Sequence, residues 1–110
     1  MNWFPLTTIE QIKDIITESA TTPVLIFKHS TRCSISVTAL SRTERHWSFT
    51  SEQVIPYYLD LLSYREVSNA VAAQFSVHHE SPQVLLIKNG ECVYEETHLN
   101  ILVAEIAEQL

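Results

Sequence analysis

The order of helical and strand-like patterns along this chain predicts an α/β fold. The expected architecture is a mixed central β-sheet of four to five strands flanked by helices on both faces, in one domain over residues 1–110. Three observations carry this. Apolar runs of strand length alternate with amphipathic stretches of helical period. A helix between the runs at 24–28 and 54–61 makes those two strands parallel, with a right-handed connection. Asn89-Gly90 between two strand-like runs makes the last two strands an antiparallel hairpin.

Each element has its own signal. Trp3-Phe4-Pro5-Leu6 reads as a short edge strand or a docking arm. Thr7 and Glu10 form a capping-box pattern, and Ile9, Ile12, Ile15 and Ile16 follow at helical spacing, so a first helix runs to about Ser19. Thr21-Thr22-Pro23 ends it. Val24–Lys28 is the next strand; it opens with four successive apolar residues, as in a strand buried on both faces. A second helix is placed at about residues 33–48, with Leu40, Trp47 and Phe49 supplying its buried stripe. Val54–Leu61 is the next strand, and Pro56 within it predicts a free side or a nearby edge. Ser63 and Glu66 repeat the capping pattern ahead of Val67, Ala70, Val71 and Phe75, and this helix stops near Val77. The hairpin strands are Gln83–Lys88 and Glu91–Glu96. Asn100 then caps a last helix with an apolar face of Leu102, Val103, Ile106 and Leu110.

Composition narrows the function classes. A formal net charge of −6 argues against nucleic acid, which needs a basic face. No apolar run is long enough to span a bilayer, and the start of the chain lacks the basic and apolar regions of a signal peptide. Two cysteines do not make a disulfide framework, and a reducing cytoplasm is the simplest setting. The single glycine, Gly90, excludes a glycine-rich phosphate loop. His78, His79 and Glu80 are adjacent in the chain and seldom converge on one ion, so no metal site is expected; His46 reads as an exposed or packing histidine.

The chemistry concentrates at the end of the first apolar run, in Lys28-His29-Ser30-Thr31-Arg32-Cys33-Ser34-Ile35-Ser36. A strand gives way to a short polar turn, a cysteine and a helix. At the first turn of a helix the backbone N–H groups are unpaired and the helix dipole is positive, so a thiolate there is stabilised and nucleophilic near neutral pH. Lys28, His29 and Arg32 are candidates for added positive charge. Ser36 stands three residues after Cys33, so the motif is C-x-x-S. A serine hydroxyl donates a hydrogen bond to a thiolate but cannot resolve a mixed disulfide, which makes an outside thiol necessary. Cys92, early in the last strand, reads as a half-buried structural cysteine.

This order, with a cysteine opening the helix after the first central strand and Pro82 before the next-to-last strand, resembles the thioredoxin fold over nearly the whole chain, and Lys88-Asn89-Gly90 matches the hairpin common in thioredoxins. More narrowly, Phe27 to Ser36 is similar to the monothiol bacilliredoxins of the YtxJ type, with their histidine-serine-x-x-cysteine approach. Ser34 stands where that family tends to have proline. The resemblance implies that Cys33 is the catalytic nucleophile and that Ser36 replaces a resolving cysteine. It implies that Pro82 is cis and packs against the sulfur. Ser81 would pair with a bound thiol or extended peptide, and Arg32 and Ser34 complete the substrate contacts. It also implies a cytoplasmic redox role with no bound cofactor. Bacillithiol or a similar low-molecular-weight thiol would be the co-substrate, and S-thiolated client proteins the partners. Two other readings stay open: a redox-inactive peptide-binding module using the groove beside Pro82, and a thiol-based stress-response sensor in which an adduct on Cys33 alters partner choice.

Overall fold

The computed structural model describes residues 1–110. Strand β1 (Phe4–Pro5) precedes helix α1 (Gln11–Glu18), β2 (Val24–His29) and α2 (Ser34–His46). Then come β3 (Ile55–Asp60), α3 (Arg65–Phe75), β4 (Gln83–Lys88), β5 (Glu91–Thr97), a 3-10 turn at His98–Asn100 and α4 (Val103–Glu108). The five strands lie in the order β1-β3-β2-β4-β5. The pairs β1–β3 and β2–β3 are parallel, while β2–β4 and β4–β5 are antiparallel.

All six residues of β2 are buried, because β2 is central and covered on both faces. Alternation divides its side chains between two cores. Val24 and Ile26 join Ile12 and Ile15 of α1 and Val67, Val71 and Phe75 of α3 on one face. Leu25 and Phe27 join Ala39 of α2 and Ile106 of α4 on the other. The same alternation sends Lys28 toward the α1/α3 face and His29 toward the α2/α4 face, a separation that governs the site. Pro56 sits where β3 has no partner on one side, since β1 pairs only with Tyr57 and Tyr58. At the hairpin, Asn89 and Gly90 both take positive φ, of 52° and 76°. A side chain at Gly90 would also meet the Ile16 methyl group at 3.2 Å.

Local signals differ from the sequence reading in four places. The capping box of α1 is one residue later than Thr7 and Glu10. The Gln11 amide donates to Thr8 Oγ1 (3.3 Å), and Gln11 Oε1 accepts from the Thr8 amide (3.0 Å) and from the Thr7 amide (2.7 Å). Gln11 serves as the reciprocal partner because its neutral carboxamide also donates to the Pro5 carbonyl (2.9 Å), which a glutamate cannot do. Ser63 does not cap α3; its hydroxyl donates to Asp60 Oδ2 (2.9 Å), and the helix begins only at Arg65. Asn100 lies in the 3-10 turn and α4 starts at Val103, with Leu102 and Leu110 exposed and Ile101 buried in their place. The inward face of α2 is Ser36, Ala39 and Thr43, with Leu40, Trp47 and Phe49 only partly buried at its margin. Small residues let this helix lie close against β2, and Arg42 ties it to the 3-10 turn by donating to the carbonyls of Leu99 and Ile101.

Candidate active site

Three chain segments meet at one edge of the sheet. Strands β2 and β3 end there and β4 begins there, because β4 runs antiparallel to β2. The pairing of Lys28 with Gln83 sets Ser81 and Pro82 beside the turn that follows β2. The Ser81–Pro82 peptide is cis. Sequence positions 33 and 82 are thus brought to the same edge by strand register.

Cys33 is the N-cap residue of α2, in extended conformation, partly exposed and free of any disulfide. The helix starts at Ser34 because the turn closes just before it, with the Cys33 amide bonded to the Ser30 carbonyl (3.2 Å). The amides of Ser34, Ile35 and Ser36 have no protein acceptor, and the first backbone bond within reach of the cap is Val37 N–H to the Cys33 carbonyl (3.0 Å). An anionic sulfur at this position therefore meets free N–H donors and the positive end of a helix of 13 residues. Arg32 and Ser34 are exposed on either side of Cys33.

Ser36 is fully buried and faces away from solvent. Its Oγ accepts from the Ser30 amide (3.0 Å) and lies 2.7 Å from Nδ1 of His29. The His29 ring packs against Tyr58 (5.7 Å between centroids) and Phe27 (6.3 Å). Burial lowers the His29 pKa, against the pull of Asp60 and Glu44. Sequence reasoning treated His29 as possible charge beside the sulfur and missed its bond to the motif serine. The available signal was alternation: His29 shares a face with Leu25 and Phe27, and that is the face α2 covers.

Lys28 points the other way and is also fully buried. Its ammonium donates to the Ser68 carbonyl (3.3 Å) and stands 3.3 Å from His79 Nδ1. Burial lowers its pKa to about 8, with Glu95 opposing the shift. His79 is lowered too, by burial and then by Lys28 and Arg65. His78 instead lies exposed, 3.7 Å from Glu80.

Pro82 is buried, and its carbonyl accepts from the His98 amide (3.0 Å), which anchors the loop to the end of β5. Ser81 is different. Its backbone N–H and C=O form no hydrogen bond, and its buried Oγ has no partner. Unpaired polar groups of this kind are uncommon away from sites of binding or strain. Cys92, by contrast, lies at the opposite end of the sheet beside the hairpin. Its thiol donates to the Tyr94 carbonyl (3.3 Å), and burial raises its pKa.

The chain is similar to several known proteins. Residues 4–106 match the family described as monothiol bacilliredoxin BrxC. A solved thioredoxin-fold protein, thought to be an oxidoreductase, is 31% identical with a TM-score of 0.81; the match covers 96% of this chain and 90% of that one. The thioredoxin of Malassezia sympodialis is similar at 15% identity and a TM-score of 0.76, covering 98% of this chain and 89% of its own. That of Fasciola hepatica is similar at 19% identity and 0.70, covering 96% and 93%. The last two speak to the fold alone. The chain has a thioredoxin-like fold and belongs to the monothiol bacilliredoxin family, and the two together support a function in thiol redox chemistry.

Proposed function

We propose that this protein is a monothiol exchanger that removes bacillithiol, or a similar low-molecular-weight thiol, from mixed disulfides on client proteins. The observation that carries the reading is the setting of Cys33: a partly exposed cysteine at the cap of α2, at the helix end where three amides have no protein acceptor. The Cys33 thiolate attacks the small-thiol sulfur of the client's mixed disulfide. A bond forms between Cys33 Sγ and that sulfur, the original S–S bond breaks, and the client leaves as a thiolate that takes a proton from water. A second thiolate then attacks the adduct on Cys33, freeing the enzyme thiolate and carrying the small thiol away as a disulfide. Each step exchanges one disulfide for another, so no bound cofactor is required. Ser36 cannot attack the adduct, which makes the outside thiol obligatory.

The remaining residues have matching roles. The exposed Arg32 guanidinium beside Cys33 suits a small thiol carrying carboxylates, and Ser34 lines the same approach. The free N–H and C=O of Ser81 suit an extended client segment or the amide of the small thiol. Pro82, buried and tied to His98, holds Ser81 in place. No helix is long and apolar enough to cross a membrane. The reaction as written uses a cytoplasmic thiol pool and takes S-thiolated proteins as partners.

The test is intact mass after brief exposure of the wild type and Cys33→Ser to bacillithiol disulfide and to glutathione disulfide at neutral pH. One small-thiol adduct on the wild type, absent from Cys33→Ser and reversed by added thiol, is the expected result. The preferred disulfide identifies the thiol. No adduct on Cys33, with client peptides still bound by Cys33→Ala, would instead make the domain a redox-inactive peptide-binding module.

A further inference from the structure

We propose that His29 is a positioning residue: by its hydrogen bond to Ser36 it decides whether the hydroxyl of the C-x-x-S motif is available to a sulfur anion at the start of α2. The inference takes Cys33 as the reacting thiol and assigns to a second residue the control of the buried hydroxyl donor in the motif.

Protons and lone pairs on Ser36 and His29 define two states. Ser36 Oγ has one proton to give and two lone pairs. One lone pair is filled by the Ser30 amide at 3.0 Å. The remaining short contact, 2.7 Å to His29 Nδ1, has two possible directions. When Nδ1 is bare, Ser36 gives its proton to the imidazole and has none left. When Nδ1 carries a proton, the imidazole donates, both lone pairs of Ser36 are filled, and its own proton has no acceptor in the resting protein. No bond joins Ser36 to Cys33 in the resting protein; the sulfur at the cap of the same helix, three residues earlier, is the acceptor that the proposal assigns to this proton once the thiolate forms. The serine is fully buried and cannot spend the proton on bulk water. The direction of one bond in the core therefore decides whether a thiolate receives a hydroxyl donor in addition to the free amides.

The surroundings of His29 are poised for either state. From β3, Asp60 is its register partner and Tyr58 lies against its ring. From α2 come Ser36 and Glu44, and Trp3 Nε1 donates to Glu44 (2.9 Å), holding that carboxylate in place. Asp60 and Glu44 favour a protonated ring, whereas burial opposes it. Asp60 already accepts from the Leu62 amide (3.2 Å) and the Ser63 hydroxyl (2.9 Å), so it acts on His29 through charge across the sheet. A negative charge appearing on Cys33 adds to the same side of the balance and turns the Ser36 proton toward itself.

The experiment follows Cys33 alkylation by iodoacetamide from pH 4.5 to 10 in a Cys92→Ala background, for the wild-type site, Ser36→Ala, His29→Leu and the double variant. Two inflections are expected in the first, with reactivity changing by about tenfold across the lower one, as a hydrogen bond to a charged group allows. Ser36→Ala should lose the lower inflection although His29 is still present, and the double variant should match Ser36→Ala within about twofold. Persistence of the lower inflection in Ser36→Ala would mean that His29 acts by charge alone, and multiplying effects would mean independent action; either overturns the proposal. The folded parent protein gives a second readout by ¹⁵N shifts of the His29 ring at fixed pH. The Nδ1-protonated form should be more populated with a free Cys33 thiolate than after Cys33 is S-methylated, and equal populations would overturn the proposal. Iodoacetamide reads the thiolate without any small-thiol substrate. Failure of disulfide exchange with this coupling intact would therefore count against the exchange reading only.

Discussion

The two ends of the sheet treat polar groups in opposite ways. At the hairpin end the groups are closed. The amides of Asn89 and Gly90 donate to the Ser19 carbonyl (2.9 Å) and hydroxyl (2.8 Å), the Ser19 hydroxyl donates to the Ile16 carbonyl (2.7 Å), and the Cys92 thiol donates to a carbonyl of its own strand. At the other end, three helix amides, the backbone of Ser81 and the Ser81 hydroxyl are left open, and an ammonium is buried beside an imidazole. Each end holds one cysteine. The same side chain is therefore offered donors at one end and spent as a donor at the other. Bonding withheld, more than bonding made, distinguishes the end that holds Cys33.

The largest test of that contrast is removal of each thiol. Cys33→Ser should abolish formation of the small-thiol adduct, while Cys92→Ser should change its rate by less than about twofold, both read by intact mass. A second test uses the fold itself. In native protein at pH 7.5, Cys33 should be alkylated at least about tenfold faster than Cys92, whose burial disfavours the thiolate. In strong urea the two rates should converge, and a persistent difference would place the contrast in local sequence.

Stability sharpens the comparison further. Lys28 at the open end should cost stability in its charged form. Lys28→Met should raise the unfolding free energy by about 1–3 kcal/mol at pH 7, measured by urea titration. The sign follows from the protons. With Lys28 at about 8 in the folded state and 10.5 as its ordinary value, the unfolded chain binds more protons between those values. The stability of the wild type relative to Lys28→Met should thus rise from pH 8 to 10.5, and a flat difference would deny the burial cost. The smallest effect is at the closed end: Ser19→Ala should lose about 1 kcal/mol, because the Gly90 amide loses its acceptor.

The central strands, the hairpin and the order of elements were legible because each has a signal carried by its own residues. Val24–Lys28 needs only its apolar run, and Asn89-Gly90 only its tolerance of positive φ. The caps were less legible because Thr7, Thr8, Glu10 and Gln11 satisfy two overlapping patterns. The choice fell to the Gln11 donor that reaches Pro5, a tertiary contact. Ser63 was diverted by Asp60, a competitor three residues away. Within the site, Cys33 could be placed at a helix start from the chain alone, and the structure puts it at the cap. The burial of Ser36 against His29, and of Lys28 against His79, could not be read from spacing. Both depend on which face of β2 each side chain takes and which helix covers it.

Pro56 and the two-residue β1 have a consequence for how this protein meets other chains. On that margin of the sheet, Pro5 and Pro56 lack the N–H that an added strand would need. On the opposite margin β5 exposes Glu91 and Glu95 and is broken by a register shift at Val93, opposite Leu86/Ile87 of β4. Copies of a chain with net charge −6 also repel. Both lateral margins are thus poor templates for a stray or damaged polypeptide. The free backbone groups of Ser81 lie at a strand end, away from both margins, so neither margin offers a flat, uncharged edge on which aggregation could seed.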